Sequence, residues 1–336
     1  MSFFFGKNRF PVNGRTVLIT GGSSGMGRSV GRQLAEKGAN VIIVARDVAK
    51  LREAVSYIRE GAASPKTQRF YYISGDLTTA SESVRIISSA TAFNKDAPPD
   101  IVWCCAGSSY PTLFVDTPVA ELKNQMDSNY LSAAYMAHAT LQAWLKAPSE
   151  AKSYSSSPGI LPERHLIFTA SFLSFFTIAG YGPYSPSKAA LRSLSDTLSQ
   201  EMNLYASALP NKPKVRIHTI FPATIFTESY AAENRVKSDL TKKLEEGDPG
   251  QTADEVARRS IARLEKGDEL VPTTFLTRLV MTSVLGGSIR NGWAVLDTIL
   301  SWVMSLVMVF VRWDTDVKVR KWGREHGASG MKMPPR

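Results

Sequence analysis

Tyr184 and Lys188 stand four residues apart in YGPYSPSK (181–188), so on a helix their side chains share one face. A free tyrosine ionises near pH 10, about three units above neutral. A neighbouring ammonium favours the phenolate and lowers that value. The phenol can then exchange a proton with a carbonyl or alcohol oxygen. Pro186 falls inside the same turn. The first-turn amides of a helix have no intrahelical partner, so proline costs little there. The spacing therefore predicts a helix that begins at about Tyr184 or Ser185. Ser171 lies 13 residues before Tyr184, at the end of HLIFTAS, and its hydroxyl could hold the oxygen of a substrate. Asn129, in MDSNYLSA, could anchor a water that relays protons to Lys188. Tyr181 and Ser174 compete for the same roles. Tyr181 is one turn too far from Lys188 and reads as a cleft wall or a packed core residue. Ser174 is 10 residues before Tyr184 and is the weaker serine.

A second group could hold a dinucleotide. TGGSSGMG (20–27) follows a short β-branched run and opens a helical pattern. Gly21, Gly25 and Gly27 allow a tight turn and a close approach of backbone to a pyrophosphate at the helix N-terminus. Ser23 and Ser24 lie in the turn. The same residues fit G-x-S-x-G, which would make Ser23 a hydrolase nucleophile. None of the four histidines (138, 165, 218, 326) stands in a loop after a strand with a partner acid, which counts against that reading. Enzymes that use NAD place a carboxylate at the end of the second strand to hold the ribose 2′-hydroxyl. Here the strand ends in Ala45-Arg46, and a guanidinium suits a 2′-phosphate. Lys50 and Arg28 could add contacts; Asp47 reads as a helix N-cap. The cofactor expected is NADPH.

The elements that must position these residues alternate. Strands are expected at 15–20, 39–46, 69–76, 98–107, 165–171 and 214–223, with a short seventh at 268–272. Helical patterns lie between them, including a long one from about Pro118 to Lys146 and another over 184–207. Continuous apolar strands alternating with helices argue for an α/β doubly wound parallel sheet of about seven strands, covered on both faces. Thr252 and Glu255 form a capping-box pattern at the head of a further helix. The stretch 147–163 is rich in Ser and Pro and reads as an exposed loop. The chain divides into an N-terminal extension over 1–13, one Rossmann-type domain over 14–272 and an apolar tail over 273–336. The extension lacks the apolar core of a signal peptide. Cys104 and Cys105 are the only cysteines. Adjacent cysteines rarely meet disulfide geometry, so two reduced thiols and a reducing compartment are expected.

With these motifs in place, the chain resembles the short-chain dehydrogenase/reductase family over about residues 14–272. The pieces that carry the resemblance are TGGSSGMG, GDL (75–77), CCAG (104–107), Asn129, Ser171 and YSPSK. It implies a bound nicotinamide and hydride transfer. It also implies a tetrad of Asn129, Ser171, Tyr184 and Lys188 with Tyr184 as proton donor, and adenine contacts from Asp76 and Leu77. Two positions depart from the family pattern. Cys105 stands where Asn usually precedes Ala-Gly, and Ala223 follows Pro222 where Gly is usual. The resemblance implies pairing through the helices near 118–146 and 184–207, so a homo-oligomer, dimer or tetramer, is expected.

The net charge is +10. Seven Lys/Arg stand against three Asp/Glu from Arg312 to Arg336, and no basic run with interleaved aromatics occurs in the body, so no nucleic-acid partner is expected. The segment 293–311, WAVLDTILSWVMSLVMVFV, is apolar apart from Asp297. Nineteen residues of helix span about 28 Å, close to a bilayer's hydrocarbon thickness. The stretch 275–289 is also apolar. A single span, a re-entrant or interfacial hairpin, and a soluble helix packed on a dimer mate all remain open. A span would carry the basic end away from the cytosol, against the usual charge bias, which favours the hairpin or interfacial form. Membrane association suggests a lipid substrate. Phe172, Phe175, Phe176, Phe226 and Tyr230 would suit an alkyl chain, in the cleft or under a lid over about 223–250. Within the family, TESYAAENRVK (227–237), the GGSSG turn and the tail resemble members that reduce the 3-keto group of a long-chain amino ketone. Those members use NADPH at the cytosolic face of the endoplasmic reticulum membrane. Glu228 and Glu233 could then steer the substrate's ammonium. A reductase of steroids or of 3-ketoacyl thioesters is the rival enzyme. A non-catalytic NADP-binding scaffold or redox sensor is the rival of another class.

Overall fold

TVLIT (β1, Thr16–Thr20) is buried at every position, which a strand covered on both faces requires. The computed structural model describes residues 8–146, 162–291 and 294–332. After β1 the chain alternates through α1 (Gly25–Glu36), β2 (Asn40–Ala45), α2 (Val48–Glu60), β3 (Phe70–Ser74), α3 (Ala80–Phe93) and β4 (Ile101–Cys104). A long helical stretch follows as α4 (Val119–Met126), a π turn (Asp127–Leu131), α5 (Ser132–Leu141) and a second π turn (Gln142–Lys146). Next come β5 (Arg164–Thr169), α6 (Ser185–Ala208) and β6 (Val215–Phe221). The remainder is β7 (Ile225–Phe226), α7 (Glu228–Val236), α8 (Asp239–Glu245), β8 (Gln251–Thr252), α9 (Ala253–Lys266), β9 (Leu270–Pro272), α10 (Phe275–Ser283) and α11 (Ala294–His326).

Seven strands form one sheet in the order β3-β2-β1-β4-β5-β6-β9, every neighbour parallel. One core packs α1, α2 and α9 on the first face through Val30, Leu34, Leu51, Ile58, Val256 and Leu264. A second packs α3, α5 and α6 on the other through Ile86, Ala90, Met136, Leu191 and Leu198. The strand order reverses between β1 and β4, and ligands of open α/β sheets bind outside the strand ends at such a point.

The seven expected strands and the helices between them are present. Asp47 caps α2 by accepting from Lys50 N at 3.1 Å, and Thr252 with Glu255 forms the capping box of α9. Both cysteines are free thiols. The loop expected over 147–163 falls almost wholly outside the described residues. Two features have no counterpart in the sequence reading. The lid is pinned at its base by β7 pairing parallel with β8. Within the tail, α10 is followed by one long helix, α11, that continues past Val311 to His326. It is the one described helix long and apolar enough to cross a membrane, and it packs on α10, where Arg278 pairs with Asp297 at 3.7 Å.

Candidate active site

Helix α6 begins where the proline predicted, with Tyr184 as N-cap and Pro186 in its first turn. Tyr184 therefore sits at the mouth of the helix and Lys188 one turn in, its Nζ 5.7 Å from the centre of the tyrosine ring. Ser171 follows β5 by two residues, and its side chain lies near enough to the Tyr184 phenol to favour the phenolate while accepting from Leu173 N at 3.1 Å. Lys188 is 4% exposed and donates to Thr169 O at 2.9 Å. Burial lowers its pKa to about 8, so it remains mostly protonated at neutral pH.

The Tyr184 pKa is raised, not lowered as the spacing predicts. Burial comes first and pushes the phenol above its ordinary value; the neighbouring Ser171 hydroxyl lowers it, and the nearby Glu233 raises it further. The Lys188 ammonium is turned toward the Thr169 carbonyl, and desolvation of the ring outweighs it. In this state Tyr184 keeps its proton across neutral pH.

Asn129 is fully buried and lies in the first π turn, a distortion often found at functional sites. Its side chain is committed: Nδ2 donates to Ser108 O at 2.8 Å and Gln125 O at 2.9 Å, and Oδ1 accepts from Ser108 N at 3.0 Å. It thereby ties the loop after β4 to the helix. A Cβ on Gly107 would stand 2.6 Å from Asn129 Oδ1 and 3.3 Å from Lys188 Nζ, so a glycine is what the space between these two groups accepts. Cys105 fits the neighbouring gap. Its sulfur accepts from Thr169 Oγ1 at 3.6 Å, its amide bonds Thr20 Oγ1 at 3.1 Å, and burial holds the thiol up to about 12.

The glycine turn fits a dinucleotide. Gly21 has φ +66°, and a Cβ there would lie 2.8 Å from Ala106 N. A Cβ on Gly27 would meet Gly21 O at 2.4 Å, so the helix packs onto its own entry turn only without one. Gly25 opens α1 with Ser24 as N-cap, whose side chain makes no capping hydrogen bond. Ser23 and Ser24 are half-buried, at the end of α1 where an anion is favoured. Arg46 is exposed at the end of β2, beside Asp76. Asp76 accepts from Thr78 N and Oγ1 at 3.1 and 2.9 Å, which hold its carboxyl below the usual range. Leu77 is 7% exposed and its side chain belongs to the core. Two candidates are engaged elsewhere: Lys50 pairs with Glu228 at 3.0 Å, and Arg28 stacks on Tyr57 at 5.1 Å.

Tyr181 is buried at 5%, and its hydroxyl donates to Glu245 Oε1. It is a packed lid contact. Ser174 donates to Lys188 O at 3.1 Å and faces away from the phenol's role. Glu245 also takes Lys237 Nζ at 2.6 Å. Lys237 is 1% exposed and lies over the rings of Tyr181 and Tyr230 at 5.6 and 5.0 Å. The sequence reading missed this buried latch; its signal was a Lys and a Glu eight residues apart, too far for one helix turn. Of the two steering carboxylates, Glu228 is withdrawn by Lys50. Glu233 is half-buried and close enough to Tyr184 and Tyr181 to oppose their ionisation. Phe175 packs on Phe221 in the core, whereas Phe172 and Phe176 meet edge to face beside Ser171, 6.1 Å apart.

Comparison with known proteins supplies the context. Residues 15–237 match the family described as short chain dehydrogenase. The chain is 50% identical to a 3-ketodihydrosphingosine reductase of Aspergillus fumigatus, covering 97% of this chain and 89% of that protein. It is 45% identical to a 3-ketodihydrosphingosine reductase of Neurospora crassa, covering 97% and 87%. Among solved structures, a short-chain dehydrogenase from Sphingobium yanoikuyae in complex with NADPH superposes with TM-score 0.62 at 18% identity, covering 87% of this chain and 95% of that one.

Proposed function

The chain belongs to the short chain dehydrogenase family, and from that premise we propose that it reduces the 3-keto group of 3-ketodihydrosphingosine with NADPH. The observation that carries this reading is the Ser171–Tyr184–Lys188 arrangement at the head of α6, in a chain half identical to a reductase of that name.

The residues divide the work as follows. The turn Gly21–Gly27 and the N-terminus of α1, with Ser23 and Ser24, would hold the pyrophosphate. Arg46 would take the 2′-phosphate, with Asp76 and the Leu77 backbone at the adenine. When bound, the reduced nicotinamide supplies the hydride. The Ser171 and Tyr184 hydroxyls hold the ketone oxygen. Tyr184 donates its proton there as negative charge develops, and its raised pKa suits an acid that must arrive protonated. Lys188 favours the phenolate left behind. Asn129, with its side chain committed, positions the Gly107–Ser108 loop and leaves its backbone for the relay water. Glu233 takes the ammonium on the carbon next to the ketone.

Residues 14–272 form the catalytic unit, with the lid over 223–250, and 273–336 the membrane-associating unit. The site faces the cytosol at the endoplasmic reticulum, where free thiols such as Cys104 and Cys105 persist. Self-association runs through the α4–α5 and α6 faces, where Val119 and Leu204 are exposed. The deciding assay follows NADPH absorbance with 3-ketodihydrosphingosine, a steroid ketone and a 3-ketoacyl thioester. The amino ketone is expected to give the highest kcat/KM. Preference for either other substrate overturns the assignment, and NADPH binding without turnover of any ketone returns the scaffold reading.

A further inference from the structure

Helix α11 has 33 residues and is therefore about 50 Å long. Asp297, Ser301, Met304 and Met308 in its first half and Thr315, Val319 and Trp322 in its second are buried or half-buried, with 309–314 exposed between them. The contacts begin with Arg278–Asp297 and continue with Ser305 Oγ donating to Ser283 O at 3.3 Å. Beyond the helix, Gly330 O accepts from Leu240 N at 2.9 Å, and Lys332 N donates to Asp239 Oδ2 at 3.0 Å. Both of those partners belong to the lid. A chain that crossed a bilayer within α11 would leave residues 322–332 on the opposite side from the lid they touch.

The outward face changes character along the helix. Through Val311 it is apolar: Val295, Leu296, Ile299, Trp302, Leu306 and Phe310 are each more than half exposed, and Asp297 points inward. From Arg312 onward the exposed residues include Asp314, Lys318, Arg320, Lys321 and Arg324. Phe275 and Leu276 of α10 extend the apolar surface, at 74% and 59% exposed. This surface wraps most of the helix circumference. A helix from a second copy would cover one stripe of it and leave the rest in water; the hydrocarbon of one leaflet can cover the apolar half on every side that the body does not hold. Between α11, the end of α10 and the loop after Ser171 lies a groove of about 250 Å³, lined by Phe175, Phe176, Val284 and Met308 with Thr177, Ser283 and Arg312 as its polar members.

We propose that α11 lies in the plane of a lipid bilayer, strapped along the mouth of the cleft, and that the groove under Met308 admits an alkyl chain sideways from that bilayer. The bilayer contact stands on the helix alone; the role of the groove rests on the proposed lipid reductase function.

Topology is read with the full chain in sealed phosphatidylcholine vesicles containing anionic lipid. Cys104 is buried and the Cys105 thiol is held to about 12, so the native thiols label poorly and single reporters are clean. Ser329→Cys and Glu60→Cys are expected to react equally with an impermeant maleimide in intact vesicles. Protection of Ser329→Cys until detergent is added would establish a span and overturn the proposal. The unsubstituted protein offers a second reading: bromines placed shallowly on the acyl chains should quench its tryptophans more than deep ones, since Trp302 and Trp313 are exposed on the outer face. Stronger quenching from the bilayer centre, or a dimer that ignores vesicles, would also refute it. For the groove, Met308→Trp is expected to raise KM for a long-chain amino ketone at least about tenfold more than for a short-chain one. Equal shifts would remove the groove, and failure of the unsubstituted enzyme on both ketones would instead count against the function.

Discussion

Replacing Glu233 with Gln tests the substrate assignment at one carboxylate. Burial first, then the neighbouring Glu245, pushes the Glu233 carboxyl up to about 7, while Lys237 and the nearby Ser109 hydroxyl pull it down. Lys237 itself is taken by Glu245. The cleft thus holds two carboxylates around the Lys237 ammonium, beside two phenols that burial keeps protonated and whose ionisation Glu233 further opposes. A substrate ammonium at this point would pair with Glu233. A hydrogen bond to a charged group contributes about 1.5–3 kcal/mol, which is roughly a 10- to 150-fold rise in KM on its loss. A neutral ketone of the same chain length should change less than about threefold, since Gln keeps the shape. The pH profile gives a second reading. Glu233 is ionised above about 7 and neutral below it, so kcat/KM for the amino ketone falls as pH drops through that value. That limb should be missing in Glu233→Gln and missing for the neutral ketone. Equal losses on both substrates, or a limb that survives the substitution, would refute the ion pair.

Other outcomes follow from the same geometry. Tyr184→Phe should lower kcat by at least about a hundredfold while NADPH binding, read by fluorescence, persists; Tyr181→Phe should cost far less, because that hydroxyl is bound to Glu245. Arg46→Glu should weaken NADPH by about 10- to 150-fold and NADH much less, measured by titration, since only NADPH carries the 2′-phosphate. Gly107→Ala drives a methyl into Asn129 Oδ1, and a displacement of about 1 Å near the reacting groups can cost about a hundredfold in kcat; unchanged kcat would free Gly107 from the site. His165 Nδ1 and His218 Nε2 meet at 3.0 Å in the core, and burial first lowers both pKa values, His218 to about 4. The unfolded chain takes up protons as pH falls through about 6.5 and the folded chain does not. Stability should therefore fall by about 2 kcal/mol at pH 5 for His218 alone, seen as a lower urea midpoint; a midpoint constant from pH 7 to 5 would show the pair to be wet.

The sheet, the glycine turn after β1 and the start of α6 were legible in the sequence alone, because each depends on short-range rules. Continuous apolar runs such as TVLIT need two covered faces. A glycine at positive φ such as Gly21 belongs to a turn. Pro186 can stand only in the first turn of a helix. The order of Asn129, Ser171, Tyr184 and Lys188 was equally legible. What each group does electrostatically was not. The Tyr184 pKa rises where the Tyr-x-x-x-Lys spacing predicts a fall, because desolvation is imposed by elements distant in the chain. Glu228 and Glu233 look alike in TESYAAENRVK, and only the fold sends one to Lys50 and the other toward Tyr184. The tail is the clearest case. Its composition allowed a span, a hairpin or a soluble helix. What bears on that choice is the return of Gly330 and Lys332 to the lid, and no local pattern encodes which side of a surface a distant segment returns to.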